Sequence, residues 1–224
     1  MHFGRQASNG APTMSSPYHH IVALSVVTAC LFPPASSEAG CRDAPAPQVD
    51  WSGCRKRSKV LKRFDLSEGQ FARADLTHTN FEAAKLPRAN FSKANLTRAF
   101  MLRAELERDN LAKAFGMRAN LSETVLRHAN LSKVEFFRVK FSAADLSGAN
   151  LVGAQLSRSD LTAANLDQAD ARHINLSWAT LGLASQNKTN LKNAYLYRTD
   201  LRGVDLSTTL GLTDPQQRGA CGED

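Results

Sequence analysis

Ala144-Asp145-Leu146-Ser147-Gly148-Ala149-Asn150-Leu151 decides the fold, because its order of small, Asn or Asp, large apolar and two polar residues returns after five positions. Working outward, positions 66, 71, 76 and onward in steps of five to 206 carry Leu, Phe or Met at 26 of 29 places. These stations include Leu66, Phe71, Leu76, Phe81, Leu86, Phe91, Leu96, Met101, Leu106 and Leu111, then Leu121, Leu146, Leu151 and Leu161. A period of five matches neither the 3.6 of a helix nor the 2.0 of a flat strand, so the chain must turn at a fixed short interval. Alternation points the large residue and the small one two before it to the same side, and the Asn or Asp between them outward. The expected class is all-β, a coil with short sides and one filled core. Only Gly116, Ala171 and Gln186 break the large positions, and Asp109 stands where Ala is usual. These four are the expected places for a bulge or a looser coil.

Ala74-Asp75-Leu76, Ala94-Asn95-Leu96, Ala119-Asn120-Leu121 and Ala164-Asn165-Leu166 carry the same unit. It resembles the repeat of the pentapeptide-repeat proteins, A(D/N)LXX. The resemblance covers about two thirds of the chain and implies a right-handed quadrilateral parallel β-helix, with four units per coil and about seven coils. Two columns twenty residues apart agree with that coil length. Gln70, Asn90, Asn110, Asn130, Asn150, Asp170 and Asn190 form one. His78, Arg98, Arg118, Arg138, Arg158, Trp178 and Arg198 form the other, with Arg at five of seven places against four of 21 elsewhere in that repeat position. Stacked asparagines are expected to hydrogen-bond from coil to coil and support the ladder.

The ends lack the repeat. Residues 1–39 hold the one marked apolar run, Ile21 to Phe32, which is too short for the roughly 20 residues of a membrane-spanning helix. It reads as the core of a signal peptide cleaved near Ser37-Glu38-Ala39, with translation starting at Met1 or Met14. Val27-Thr28-Ala29-Cys30 also resembles a bacterial lipobox, which would make Cys30 a lipidated first residue. Residues 40–63 are expected to be an N-terminal cap before a β-helix at 64–210. Cys41 and Cys54 flank a short Pro-containing loop there, and in an exported protein such a pair is expected to be a disulfide. Exported members of the family resemble this arrangement. A metal reading lacks a second Cys or His pair. Residues 211–224 read as a short C-terminal cap with Thr213 starting a helical turn, and Cys221 has no evident partner. Both caps would cover ladder ends that otherwise invite pairing with another chain, so their removal is expected to favour end-to-end association.

The formal net charge is +7, from 28 Lys and Arg against 21 Asp and Glu, and six basic residues stand among the nine from Arg55 to Arg63. A surface that imitates DNA, as some pentapeptide-repeat inhibitors of topoisomerases do, needs the opposite sign. The column Arg98, Arg118, Arg138, Arg158 and Arg198 is the candidate anion-binding line. Set against it is a plain solvated face whose arginines stack on one another and on Trp178, with acids such as Glu105, Glu123 and Glu135 neutralising neighbouring faces. Nucleic acid is disfavoured because few aromatics interleave with the basic residues. No Ser-His-Asp order and no glycine-rich phosphate loop occurs, and His78, His128 and His173 fall on different predicted faces, so neither catalysis nor a cofactor is expected. The expected function is a non-catalytic scaffold or protein-interaction module of the cell envelope or exterior, periplasmic or secreted. The alternative is a binder of anionic surface polymers or lipids. A protein partner is expected without being named, and homodimerisation through an end coil is a family habit.

Overall fold

The structure, a computed structural model, describes residues 40–213 and Ala220, which belong to one compact unit. The expected leader, Cys30, Cys221 and most of the C-terminal cap lie outside the described residues. After a single 3₁₀ turn, Gly40–Arg42, the chain winds as a solenoid. Residues twenty apart pair in parallel, from Asp50 with Gln70 and Gln70 with Asn90 through to Asn190 with Leu210. Each coil carries four such bridge positions, for example Gln70, Asp75, Asn80 and Lys85. The ladder thus begins at Asp50. Much of the segment expected as a cap is already coil, because its residues pair one coil ahead just as later ones do.

One unit shows why Asn or Asp recurs. The Asn90 N–H donates to Gly69 O of the preceding coil, and Phe91 N–H and Lys93 N–H donate to Asn110 O and Ala112 O of the next. Ala94 N–H closes the turn on Phe91 O at 2.9 Å. That leaves Ser92 N–H, which the ladder does not reach, and Asn90 Oδ1 accepts it at 3.1 Å. The repeated Asn or Asp is therefore chiefly an Asx cap that satisfies the remaining backbone donor of its unit. Asn95, Asn120, Asp145 and Asn165 do the same. Coil-to-coil amide bonds are confined to Asn90 with Gln70, Asn110 with Asn90, and Asn130 with Asn110 in that column, at 3.2–3.4 Å. Stacking of asparagines is thus secondary to capping.

The residue two after each station from Leu66 to Leu201 adopts positive φ, as at Lys93 (60°), Arg98 (54°) and Arg158 (60°). Glycine is the usual occupant of such a turn position, and a side chain there costs on the order of 1 kcal/mol. The N–H of the same residue is bonded to the next coil, so the ladder holds the strained conformation in place.

All fourteen stations named above are fully buried. Phe71 and Phe91 stack with ring centres 4.8 Å apart, and Phe81 meets both edge to face. Buried hydroxyls in the Ala position satisfy themselves on the backbone: Thr79, Thr124, Thr189 and Thr199 donate to Lys56 O, Leu121 O, Leu166 O and Leu176 O. No bulge forms at Gly116, Ala171 or Asp109, contrary to expectation, since the bridges of their neighbours Phe115, Asp170 and Asn110 keep the twenty-residue register. Phe136 of the next coil takes up the space at Gly116, where an added Cβ would lie 3.0 Å from its ring. Gln186 differs. Both its amide atoms are buried without a partner, and the ladder on its face ends at Ser185 among the described residues.

Asp109 is 1% exposed; its Oδ1 accepts Ala89 N–H while its Oδ2 has no partner. Burial pushes this carboxyl well above the usual range, against the lowering effect of the backbone donors. A carboxyl kept protonated in the fold but free to ionise when unfolded lowers stability as pH rises through its unfolded pKa, and costs nothing below it. Asp109→Ala restores the residue found at Ala89 and Ala129, and Ala89 N–H keeps its bond to Leu86 O. The expected gain is about 1–3 kcal/mol at neutral pH, shrinking towards pH 4. Thermal unfolding across that range checks it, and a gain independent of pH would refute ionisation as its source.

The N-terminal end of the core is closed by side chains. Cys41 and Cys54 are joined in a disulfide with Cα atoms 5.5 Å apart. Trp51 is buried and meets Phe71 edge to face at 5.8 Å. Lys56 occupies a station, 7% exposed, with Nζ 3.6 Å from the Trp51 ring centre. Burial, the largest influence, and the neighbouring Lys59 hold its pKa below the ordinary lysine value, against the pull of Asp43.

Candidate functional site

The twenty-residue register places Arg98, Arg118, Arg138, Arg158 and Arg198 on one corner of the solenoid, all exposed. Each sits at the positive-φ position of its turn, which throws the side chain away from the core. Acids pair on neighbouring corners, as expected of Glu123, and not with this column. Glu123 pairs with Arg103 at 2.8 Å, Glu107 with Arg127 at 3.2 Å and Glu68 with Arg88 at 3.4 Å, all on other corners. Among the described residues the five column arginines form no ion pair with a carboxylate.

Unpaired charge alone marks no site. Lys93, Lys113 and Lys133 stack on another corner without an opposing acid, and beside them stand Ser92, Ala112 and Ser132. The arginine corner differs because aromatic rings interleave with it. Phe137 lies 5.5 Å from the Arg138 guanidinium and 5.9 Å from that of Arg158. Trp178 lies 5.7 Å from Arg158 and 4.5 Å from Arg198, and Tyr197 lies 5.5 Å from Arg198 and 6.1 Å from Trp178. Met117, Phe137, Trp178 and Tyr197 are 40–56% exposed here, and Phe115 and Tyr195 are exposed on the adjoining face. The expectation that few aromatics stand among the basic residues is overturned. Phe137 and Tyr197 come from the position just after the station and Trp178 from the column itself; the stacking of coils brings Phe137 beside Arg158, and Trp178 beside Arg158 and Arg198.

Sequence reasoning also missed Ser159, whose one signal was a hydroxyl in the Ala position. Its Oγ accepts Val139 N–H at 3.1 Å and lies 3.4 Å from Phe136 O. The turn that carries Phe137 is thereby opened and its closing bond rerouted through the coil above.

Elsewhere the described surface has hollows. One of about 330 Å³ is lined by Leu183, Gln186, Gly203 and Asp205 among others, and one of about 220 Å³ by Pro87, Arg88, Glu107 and Arg108. Ser185 and Thr208 also line the first, where the Ser185 hydroxyl donates to Asp167, and no histidine lines either. Among the described residues no three or more His, Cys, Asp or Glu stand close enough to hold a metal ion, and no helix is long and apolar enough to cross a membrane. His78, His128 and His173 stand on three separate corners.

Comparison with solved structures returns repeat proteins of this kind. HetL, a pentapeptide repeat protein involved in heterocyst differentiation regulation from the cyanobacterium Nostoc, is 26% identical over 84% of this chain and 94% of its own, with a TM-score of 0.44. QnrB1, a plasmid-mediated fluoroquinolone resistance protein, is 19% identical over 74% of this chain and 86% of its own, with a TM-score of 0.50. A pentapeptide repeat protein of the Arabidopsis thaliana thylakoid lumen is 26% identical over 50% of this chain and 74% of its own, with a TM-score of 0.32. No curated protein matches in sequence. The family model described as pentapeptide repeats matches residues 61–108, 118–142, 140–177 and 174–209 in 8 copies. With most of the solenoid so matched, the chain belongs to the pentapeptide-repeat family, and its fold is the right-handed β-helix solenoid of that family.

Proposed function

We propose that this four-sided solenoid is a non-catalytic scaffold that binds through its arginine and aromatic corner, in the cell envelope or outside the cell. The observation that carries this reading is the corner itself: a column of guanidinium groups with no carboxylate partner among the described residues, three of them, Arg138, Arg158 and Arg198, held against exposed rings. Arg, Trp and Tyr are the residues that most often dominate binding interfaces. The filled core supports a role in presentation, because a solenoid packed solid with Leu and Phe leaves no enclosed space in which unlike catalytic groups could converge. The Cys41–Cys54 disulfide supports an oxidising compartment. The basic net charge argues against imitation of DNA.

A benzophenone amino acid placed at Phe137 in cells, and separately at Lys133, tests the corner. Adducts to another molecule from position 137 and none from position 133 are expected. Equal yields from both positions, or none from 137, would sink the assignment.

A further inference from the structure

We infer that the ridge of Arg138, Arg158, Arg198, Phe137, Trp178 and Tyr197 is a docking edge for an anionic lipid surface, an assignment that rests on reading this corner as the binding face. Three observations separate a lipid surface from a polymer chain. The first is shape: the side chains project from stacked turns, so they form a convex line, and the hollows beside Gln186 and beside Arg88 lie elsewhere. A convex line can lie along a plane but cannot wrap a chain. The second is that the ring faces are occupied. Trp178 is flanked by Arg158 and Arg198, and Phe137 by Arg138 and Arg158, which leaves little face on which a base could stack. A guanidinium laid on a ring keeps its in-plane N–H donors free for phosphate oxygens.

The third is composition. Met117, Phe137, Trp178 and Tyr197 expose apolar bodies beside the cations, and Trp and Tyr are the side chains that settle at the headgroup level of a bilayer. Phosphate headgroups supply the charge that the corner lacks among its own neighbours. Arginines near such a surface each add to the attraction, and the rings add a part that salt does not screen.

The experiment is co-sedimentation of the protein with phosphatidylcholine vesicles, with and without phosphatidylglycerol. Binding only to vesicles that contain phosphatidylglycerol is expected. The triple variant Arg138→Gln, Arg158→Gln, Arg198→Gln should weaken it on the order of a hundredfold. Lys93→Gln, Lys113→Gln and Lys133→Gln together remove the same charge from the other corner and should change it by less than about threefold, since distant charges are screened. A second readout does not depend on the variants. Trp51 is buried and Trp178 is 45% exposed, so vesicles should shift emission to the blue and protect Trp178 from acrylamide. Equal loss in the two triple variants would reduce the effect to bulk charge and overturn the assignment. So would no vesicle binding at low salt, or binding that polygalacturonate alone supports. If vesicles fail while the crosslink from position 137 persists, the corner remains the binding face and its partner is not a lipid.

Discussion

Phe91→Ala is expected to cost about 3–5 kcal/mol, the range for truncating a fully buried aromatic ring. For a chain of this size that corresponds to a fall in Tm on the order of 10 °C. The reason is local and specific. Phe91 stacks on Phe71 at 4.8 Å and meets Phe81 at 6.0 Å, so its removal opens a hole between two successive coils as well as within one. In a solenoid each coil touches only its neighbours, and a void at such a junction weakens the coupling through which the whole array melts together. Phe91→Leu is the informative control, because Leu fills most other stations; its cost should stay below about 1.5 kcal/mol. Calorimetry of the two variants separates the cases. A loss under about 1 kcal/mol for Phe91→Ala would mean that the column is not packed as described.

Loss of the Cys41–Cys54 disulfide has the second large effect, about 3 kcal/mol in the chain-entropy model for a sequence separation of 13. Cys41→Ala is the cleaner variant, since Cys41 is partly exposed while Cys54 is 2% exposed and packs in the core. The loss should be confined to the first coil. Amides of Val49, Trp51 and Cys54 should lose exchange protection while those near Leu121 and Leu146 keep theirs, because nearest-neighbour contacts do not carry the disturbance far. Freed from the clip, Trp51 and the ladder from Asp50 become an open edge, and concentration-dependent association is expected in sedimentation. Reduction of the unmodified protein should reproduce the variant. Uniform loss of protection along the solenoid would show that the clip acts on the whole unfolded chain rather than on its end.

Much of this protein was legible in its residues. The five-residue period, the Leu and Phe stations, the coil of twenty and the alignment of the arginines all follow from side-chain repetition, because a chain that turns at a constant interval must place equal residues in equal surroundings. The Cys41 and Cys54 pair was legible for a similar reason, standing isolated beside Trp51, which was already in frame. Lys56 was not, since a lysine at a station looks like a break in the pattern until the indole beneath it is seen. The capping role of Asn and Asp was also hidden, since it depends on knowing which backbone donor the ladder leaves unmet.

What the sequence determined by itself was the repeat, and with it the core, the register and the column of charge. The tertiary structure alone decided the rest: which arginines Glu68 and Glu107 pair with, that Phe137 and Tyr197 join Trp178 beside Arg138, Arg158 and Arg198, and that Asp109 is sealed inside with one oxygen unmet. The physical reason is reach. Periodicity specifies where each Cα lies, but contacts across about 4.8 Å between coils depend on how long side chains lean from one turn to the next, and a repeat does not encode that direction.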